Sequence, residues 1–464
     1  MPRRNLGWLL GITAVALLGL AVSYSAPVRE KDRDYELVKL VIDVLHEVRG
    51  KYVKELTPDQ ERKLVEDMIN GGLDRLDPHS TYINAKEYKQ FSKQSRGRFG
   101  GVGIQIGYDR QSGGRLMVIS PMVGTPAYEA GILAGDLIVK IDGKSTENMR
   151  LSEAVELIQG EPGEKVTLTV LHEASKEPVD IPITRAEIRV PAVLGDVRKP
   201  NANEWDFFID KDSKIAYIRL NSFSETAAEE MRRTVEKLQK EGTRALILDL
   251  RNNPGGLLSA AVEIADLFLT DGVIVSTRGR NEKEKVYEAK ADGTLLTPAE
   301  KFPMAVLINK YSASASEIVA AALQDHQRAV IVGERSYGKG SVQNIIPMEG
   351  NSSALKLTTA SYWRPSGKNI HRFPDSKEAD EWGVKPTPGF EVPMKDDERL
   401  EYLIYRNERD VVHGKPGAPP PPRPKPEKEK KPFEDRVLQK ALEHLRGEVK
   451  KVNAALPALE PAHG

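Results

Sequence analysis

From Ile215 to Gly333 short apolar runs alternate with amphipathic segments: IAYIRL, ETAAEEMRRTVEKLQKEG ending at Gly242, RALILDL, LLSAAVEIADLFL, VIVST, PMAVLIN, ASEIVAAALQDH and AVIVG. A strand that is apolar at successive positions must be covered on both faces, so the pattern calls for an α/β core with helices packed on a sheet. Between Arg98 and Arg185 the texture changes to β-type runs broken by glycine (IQIGY, RLMVI, DLIVKIDG, VTLTVL), with one helical segment, SEAVELIQ. Before that, Leu37, Leu40, Val41, Val44, Leu45 and Val48 recur at helical spacing. A second helix is expected after TPDQ, with Thr57 as N-cap and Pro58 at its first position. The chain is therefore read as multidomain: a leader at 1–26, a helical region at 27–95, a β-rich module at 96–187, an α/β core at 188–395 and an extension at 396–464. Eight prolines fall among the 18 residues 415–432, which marks a linker, and the helical segment FEDRVLQKALEHLRGEVKKV follows it.

Lys plus Arg and Asp plus Glu both total 68, so no overall field draws the chain to nucleic acid. The absence of cysteine excludes disulfides, thiolate catalysis and cysteine-bound zinc, and no H-E-x-x-H or other metal spacing occurs. No metal or cofactor is expected. MPRR followed by the uncharged run LGWLLGITAVALLGLAV, residues 6–22, reads as an export signal or a membrane anchor, with Ser23 and Ser25 near a cleavage site. The remainder is expected outside the cytoplasm, periplasmic or anchored to the membrane.

GERSYGKGSVQ, residues 333–343, comes within one residue of a phosphate-binding loop, but Gly340 stands where the magnesium-binding hydroxyl belongs. Such a loop must enter a helix at once, whereas GSVQNIIPM carries β-branched residues and a proline and predicts a strand. The other role for Lys339 is proton acceptor, which requires burial to bring its pKa down from ~10.4. Its nucleophile is sought in NKYSASASEIVAAAL, where a buried strand runs straight into a helix. Ser314 fits best at that junction, because the N–H groups of the first helical turn point at whatever it attacks. The Ala315 N–H is then one oxyanion donor, and RNNPGG, residues 251–256, is a source for the second. Read in isolation, SASAS is equally a helix cap and Lys339 a surface charge. A histidine-based triad competes through His326 or His371, although the chain has no G-x-S-x-G elbow. His79 in LDPHSTYI reads as a turn residue.

In order along the chain, GGLDRLDPHSTYI, RFGGVGIQI, PAYEAGILAGDLIVKIDG, LDLRNNPGG, SASASEIVAAALQDH and GERSYGKGSVQ resemble the carboxyl-terminal processing peptidases, over residues 35 to 395. The resemblance implies a Ser–Lys serine peptidase with Ser314 as nucleophile, Lys339 as general base and Gln343 orienting the lysine. It also implies an oxyanion hole from Ala315 and the Gly255–Gly256 turn. The β-rich module resembles the PDZ domain inserted in these enzymes, which clamps a peptide's C-terminal carboxylate and adds its chain as a strand. Gly101, Val102, Gly103 and Ile104 then supply the carboxylate loop, and Val155 or Ile158 meets the terminal apolar side chain. The expected partners are proteins or peptides with apolar C-termini, the membrane through the leader, and a second copy through the helical region. Relatives carry an arginine, tied to activation, where this chain has Gln159. The alternative of another class is a non-catalytic PDZ scaffold at the membrane.

Overall fold

A computed structural model of the chain describes residues 30–109, 113–172, 175, 177–199, 204–281, 283–412 and 433–455. The leader and the proline-rich linker lie outside the described residues. Two units are distinguished, residues 1–75 and 76–464. In the first, α1 (Glu30–Lys51) and α2 (Pro58–Leu73) form as expected. Thr57 caps α2 in a capping box with Gln60, and Pro58 opens the helix.

The second unit opens with β1 (Thr81–Ile83), β2 (Arg98–Gly101), β3 (Ile104–Asp109), β4 (Arg115–Pro121), β5 (Leu137–Ile141), α3 (Leu151–Ile158), β6 (Lys165–Leu171), β7 (Val179–Thr184) and β8 (Ala186–Arg189). Strands β3 to β7 pair in sequence order as an antiparallel sheet, β3 at one edge. β2 and β8 pair separately and frame the module. Its core gathers Leu116, Val118, Ile138, Ile141, Leu168 and Val170 under α3.

The chain continues through β9 (Val193–Leu194), β10 (Phe208–Asp210), β11 (Ile215–Leu220), α4 (Ala227–Lys240), β12 (Ala245–Asp249), α5 (Leu258–Asp266), β13 (Val273–Gly279), β14 (Lys285–Glu288), β15 (Met304–Ile308), α6 (Ala315–Asp325), β16 (Val330–Gly333), β17 (Ser341–Met348), β18 (Ser353–Trp363), α7 (Asp396–Asp410) and α8 (Arg436–Ala455). β11, β12, β15 and β16 are mutually parallel neighbours, extended by antiparallel β9 and β10. Their side chains alternate between two covers. Ala216, Ile218, Leu246, Leu248, Val306 and Ile331 pack with α4, α5 and α6. Tyr217, Ile247, Ala305, Leu307 and Val332 pack with Val437, Leu438, Ala441, Leu442, Leu445 and Val449 of α8. The terminal helix, set apart in the sequence as an extension, therefore covers one whole face of the sheet, and its i, i+4, i+8 apolar stripe exists for that purpose.

VIVST does not join the parallel sheet. It becomes β13, which pairs antiparallel with β14 and β18 in a second sheet completed by β1 and β17. Ile274 and Val275 still reach the main core, so the run is apolar without being central. The segment after Lys339 is a strand, β17, which disposes of the phosphate-loop reading.

Candidate active site

Parallel neighbours β12 and β15 end side by side, so the RNNPGG and SASAS loops leave the same edge of the sheet. The loops are laced together. Ser312 Oγ donates to the Leu250 carbonyl at 2.8 Å, Ser316 Oγ to the Asn253 carbonyl at 2.9 Å, and the Ala313 N–H to the same Asn253 carbonyl at 3.1 Å. Both outer serines of SASAS are fully buried and occupied by this role. The middle one is different. Ser314 sits between β15 and α6 with φ 56° and ψ −114°, a backbone state a non-glycine residue holds only where its surroundings impose it, and the residue is buried but for 8% of its surface. Its hydroxyl interacts with the phenol of Tyr362, which burial pushes up to about 12 against the opposing pull of the Ser314 hydroxyl.

The turn expected to hold the oxyanion lies in close approach to Ser314. A Cβ on Gly255 (φ 103°) would stand 2.9 Å from the Ser314 Cβ and 3.0 Å from the Ala315 nitrogen. On Gly256 (φ 152°) it would stand 2.4 Å from the Phe223 carbonyl oxygen. Only glycine lets this turn lie against the nucleophile. The Gly255 N–H is taken by Asn253 Oδ1 at 2.9 Å, whereas among the described residues the Gly256 and Ala315 N–H groups carry no acceptor.

One carboxylate ties the Lys339 loop to Ser314. Glu317, three residues after Ser314 and fully buried, accepts from the Ser314 N–H (2.8 Å), the Lys339 N–H (2.8 Å), the Gly338 N–H (2.6 Å) and Ser336 Oγ (2.6 Å). Burial outweighs these donors and raises its pKa to about 7. Sequence reasoning passed over Glu317, although Ser314-x-x-Glu317 has the spacing of a capping box. Lys339 is half-buried. Desolvation lowers its pKa below 10.5 and the cation of Lys356 lowers it further, against the pull of Glu317 and Asp77. Among the described residues Lys339 Nζ has no hydrogen-bond or ion-pair partner, Ser314 Oγ included.

Gln343 does not orient the lysine in this conformation. A register irregularity between Val342 and Gln343 turns its amide to Ser341 Oγ at 2.8 Å and Thr358 Oγ1 at 3.2 Å. Thr358 in turn donates to Asp77, which also accepts the N–H groups of His79 and Ser80 and the Ser80 hydroxyl. The LDPHS turn is thus folded around its own aspartate, and the His79 ring comes near enough to Lys339 for the ammonium to depress its pKa, after desolvation. His326 caps the far end of α6, about 16 Å of helix from Ser314, with Nε2 on the Val273 carbonyl at 2.7 Å. His371 packs its backbone on Gly340, and its buried Nδ1 has no partner among the described residues. Among the described residues no histidine is bonded to Ser314. No cluster of metal-ligating side chains occurs among the described residues. A cleft of about 730 Å³ lies beside Gly338, walled by Tyr311, Tyr337, His371 and Trp382.

In the antiparallel module β3 is an edge strand with α3 alongside. Gly103 (φ 82°) is pressed on Thr125, and its carbonyl takes the Met122 N–H and Thr125 Oγ1. Val102 and Ile158 are spent in the core, and Ile104 and Val155 are half-buried. Of the two expected groove residues on α3, Val155 is the one left accessible. Arg185 closes the end of α3, donating to the Leu157 and Ile158 carbonyls at 2.8 and 3.0 Å.

The chain matches Peptidase family S41 over residues 214–387 and a PDZ domain over residues 117–171. It is 36% identical to the carboxy-terminal-processing protease of Bartonella bacilliformis over 98% of both chains. It is 34% identical to the carboxy-terminal processing protease CtpA of Bacillus subtilis over 77% of this chain and 69% of that one. A solved photosystem II D1 C-terminal processing protease is 28% identical over 75% of this chain and 86% of its own, with a TM-score of 0.41. With a serine-bearing strand–helix junction, a family match across it and near-full-length relatives, this chain belongs to the carboxy-terminal processing proteases, serine-type peptidases that carry a PDZ domain.

Proposed function

We propose that the chain is an exported endopeptidase that takes the apolar C-terminal end of a protein into the groove between β3 and α3 and cleaves upstream of it by a Ser314–Lys339 dyad. The observation that carries this is the shared Glu317 carboxylate, which holds the backbones of Ser314 and Lys339 on one anchor while Ser314 keeps a strained backbone. Neutral Lys339 removes the Ser314 proton as Oγ attacks the peptide carbonyl. The resulting oxyanion is held by the Ala315 and Gly256 N–H groups, and the lysine ammonium then protonates the departing amine to leave an acyl-enzyme. Water, deprotonated by the same amine, releases the acyl group. Catalytic hydrogen bonds are often long before substrate binds, so closing the gap between Nζ and Oγ belongs to the bound state.

At the recognition site, the unpaired edge of β3 offers a strand partner and Val155 an apolar contact. Export rests on the Arg-Arg start and the apolar run 6–22. Pairing of two copies rests on α1, where Leu37, Val38, Leu40, Val41 and Val44 are all exposed. The deciding experiment is digestion of casein and of a peptide with an apolar C-terminus. Ser314→Ala and Lys339→Ala are each expected to abolish cleavage while the peptide still binds. Cleavage by either folded variant refutes the dyad, and an inactive wild type with intact peptide binding selects the scaffold reading.

A further inference from the structure

An arginine with no exposed side-chain surface stands at the root of the RNNPGG turn. Arg251 faces two carboxylates. Asp249, at the end of β12, receives Nη2 at 2.6 Å but is shared with the Tyr217 hydroxyl at 2.6 Å and with the Arg251 N–H at 2.9 Å. Asp435 comes from the other end of the chain, across the proline-rich linker, and takes the guanidinium as a fork, Nη1 to Oδ1 and Nη2 to Oδ2, both at 2.9 Å. The same Asp435 accepts the Leu438 N–H at 3.0 Å, so it is also the cap of α8. The ring of Tyr402 lies 4.4 Å from the guanidinium carbon and seals the site.

This arrangement is not what docking of α8 by itself requires. Six apolar side chains already bind the helix to the sheet, and buried ion pairs are commonly no better for stability than well-packed apolar groups. What the fork adds is register, since it fixes one end of α8 to one residue of one loop. From Arg251 the constraint runs forward over short steps. Asn252 exchanges hydrogen bonds with Asn309 at 3.0 and 2.9 Å, Asn253 Nδ2 holds the Leu220 carbonyl at 2.7 Å, and Asn253 Oδ1 holds the Gly255 N–H. Gly256 follows at once.

We propose that Asp435 is a positioning residue for peptide hydrolysis: by clamping Arg251 it makes the docked terminal helix a condition for the 251–256 turn to present its N–H donor to the oxyanion. This rests on the reading of Ser314 as nucleophile and of that turn as half of the oxyanion hole. A terminal segment reached through a linker thereby completes the active site from behind.

The test uses the full chain and a peptide substrate, with kcat and KM measured separately. Asp435→Asn keeps a cap for the Leu438 N–H and removes the charge that faces Arg251. It is expected to lower kcat about tenfold or more, as small displacements of catalytic groups do, with KM within about twofold. Leu445→Ala, in the same helix and fully buried against the sheet, is expected to lower the melting temperature while leaving kcat unchanged. A wild-type kcat in Asp435→Asn overturns the proposal, as does a parallel loss of kcat in both variants, which would make Asp435 a docking residue only. Should Asp435→Asn fail to fold, Arg251→Lys keeps the charge and loses the fork, and the same fall in kcat is required of it. Ser314→Ala runs alongside: turnover there removes the peptidase reading and the proposal with it, whereas a dead Ser314→Ala with an undiminished Asp435→Asn removes the clamp alone.

Discussion

Glu317→Gln separates the two things its carboxylate does. The folded site raises the carboxyl from 4.5 to about 7 because burial costs the anion more than four donors return. A carboxyl raised on folding contributes stability that is fully present below pH 4.5 and lost as the pH rises through about 7. The shift of about 2.5 units amounts to about 3 kcal/mol of destabilisation above neutrality, and under 1 kcal/mol at pH 5. Glutamine carries no such cost. It does turn an NH₂ toward two groups that the carboxylate accepted from, leaving at least one buried backbone N–H unmet at a cost of ~1–3 kcal/mol at any pH. Urea denaturation followed by circular dichroism at pH 5, 6, 7 and 8 should therefore find Glu317→Gln less stable than wild type at pH 5 and level with it or better at pH 8. The swing expected is about 2–3 kcal/mol. Other titrating groups are common to both chains and cancel in the difference. Because one of the two catalytic loops loses its anchor in either amide orientation, kcat should fall about a hundredfold even where stability is equal. A pH-independent difference, or one that turns against glutamine as the pH rises, would show that the donors hold the anion and would sink the argument.

Two further outcomes follow from the same site. On the proposed dyad neutral Lys339 is the working form, and burial lowers its pKa, so log kcat should climb with pH at a slope near one and level off below the ordinary lysine value of ~10.4; a profile with only a histidine-like inflection near 6.5 would assign the base elsewhere. Tyr362→Phe removes the phenol that interacts with the Ser314 hydroxyl while keeping the ring in the core, so kcat should drop roughly two- to tenfold with little change in melting temperature, and an unaltered kcat would make the phenol a bystander.

The parallel sheet and the junction that carries Ser314 were legible because both are local statements. Continuous apolar runs mean two-sided burial, and small residues between such a run and a helix mean a tight junction. Which serine of SASAS is available was not local. It follows from Ser312 and Ser316 finding acceptors at Leu250 and Asn253, on a loop some sixty residues earlier. Glu317 advertised itself only as a helix cap, since nothing in the sequence says that residues 336–339 return to the same carboxylate. VIVST shows the limit of run-reading: Ile274 and Val275 are buried by the main core while their backbone pairs in another sheet. The stripe of α8 was readable as an amphipathic helix, but a stripe does not name its partner.

The backbones of Ser314 and Lys339, the proposed nucleophile and base, are registered through Glu317, not through their side chains, and this divides the labour of the site. Moving either loop breaks short, buried hydrogen bonds, each worth ~1.5–3 kcal/mol where a charged group accepts. Rotating the lysine side chain breaks none, because Nζ has no partner among the described residues. On the proposed mechanism the costly alignment is therefore completed by folding, and what substrate has to supply is a change of side-chain rotamer. Lysine suits that division, since its amine rides on a flexible four-carbon stem and burial favours its neutral, proton-accepting form.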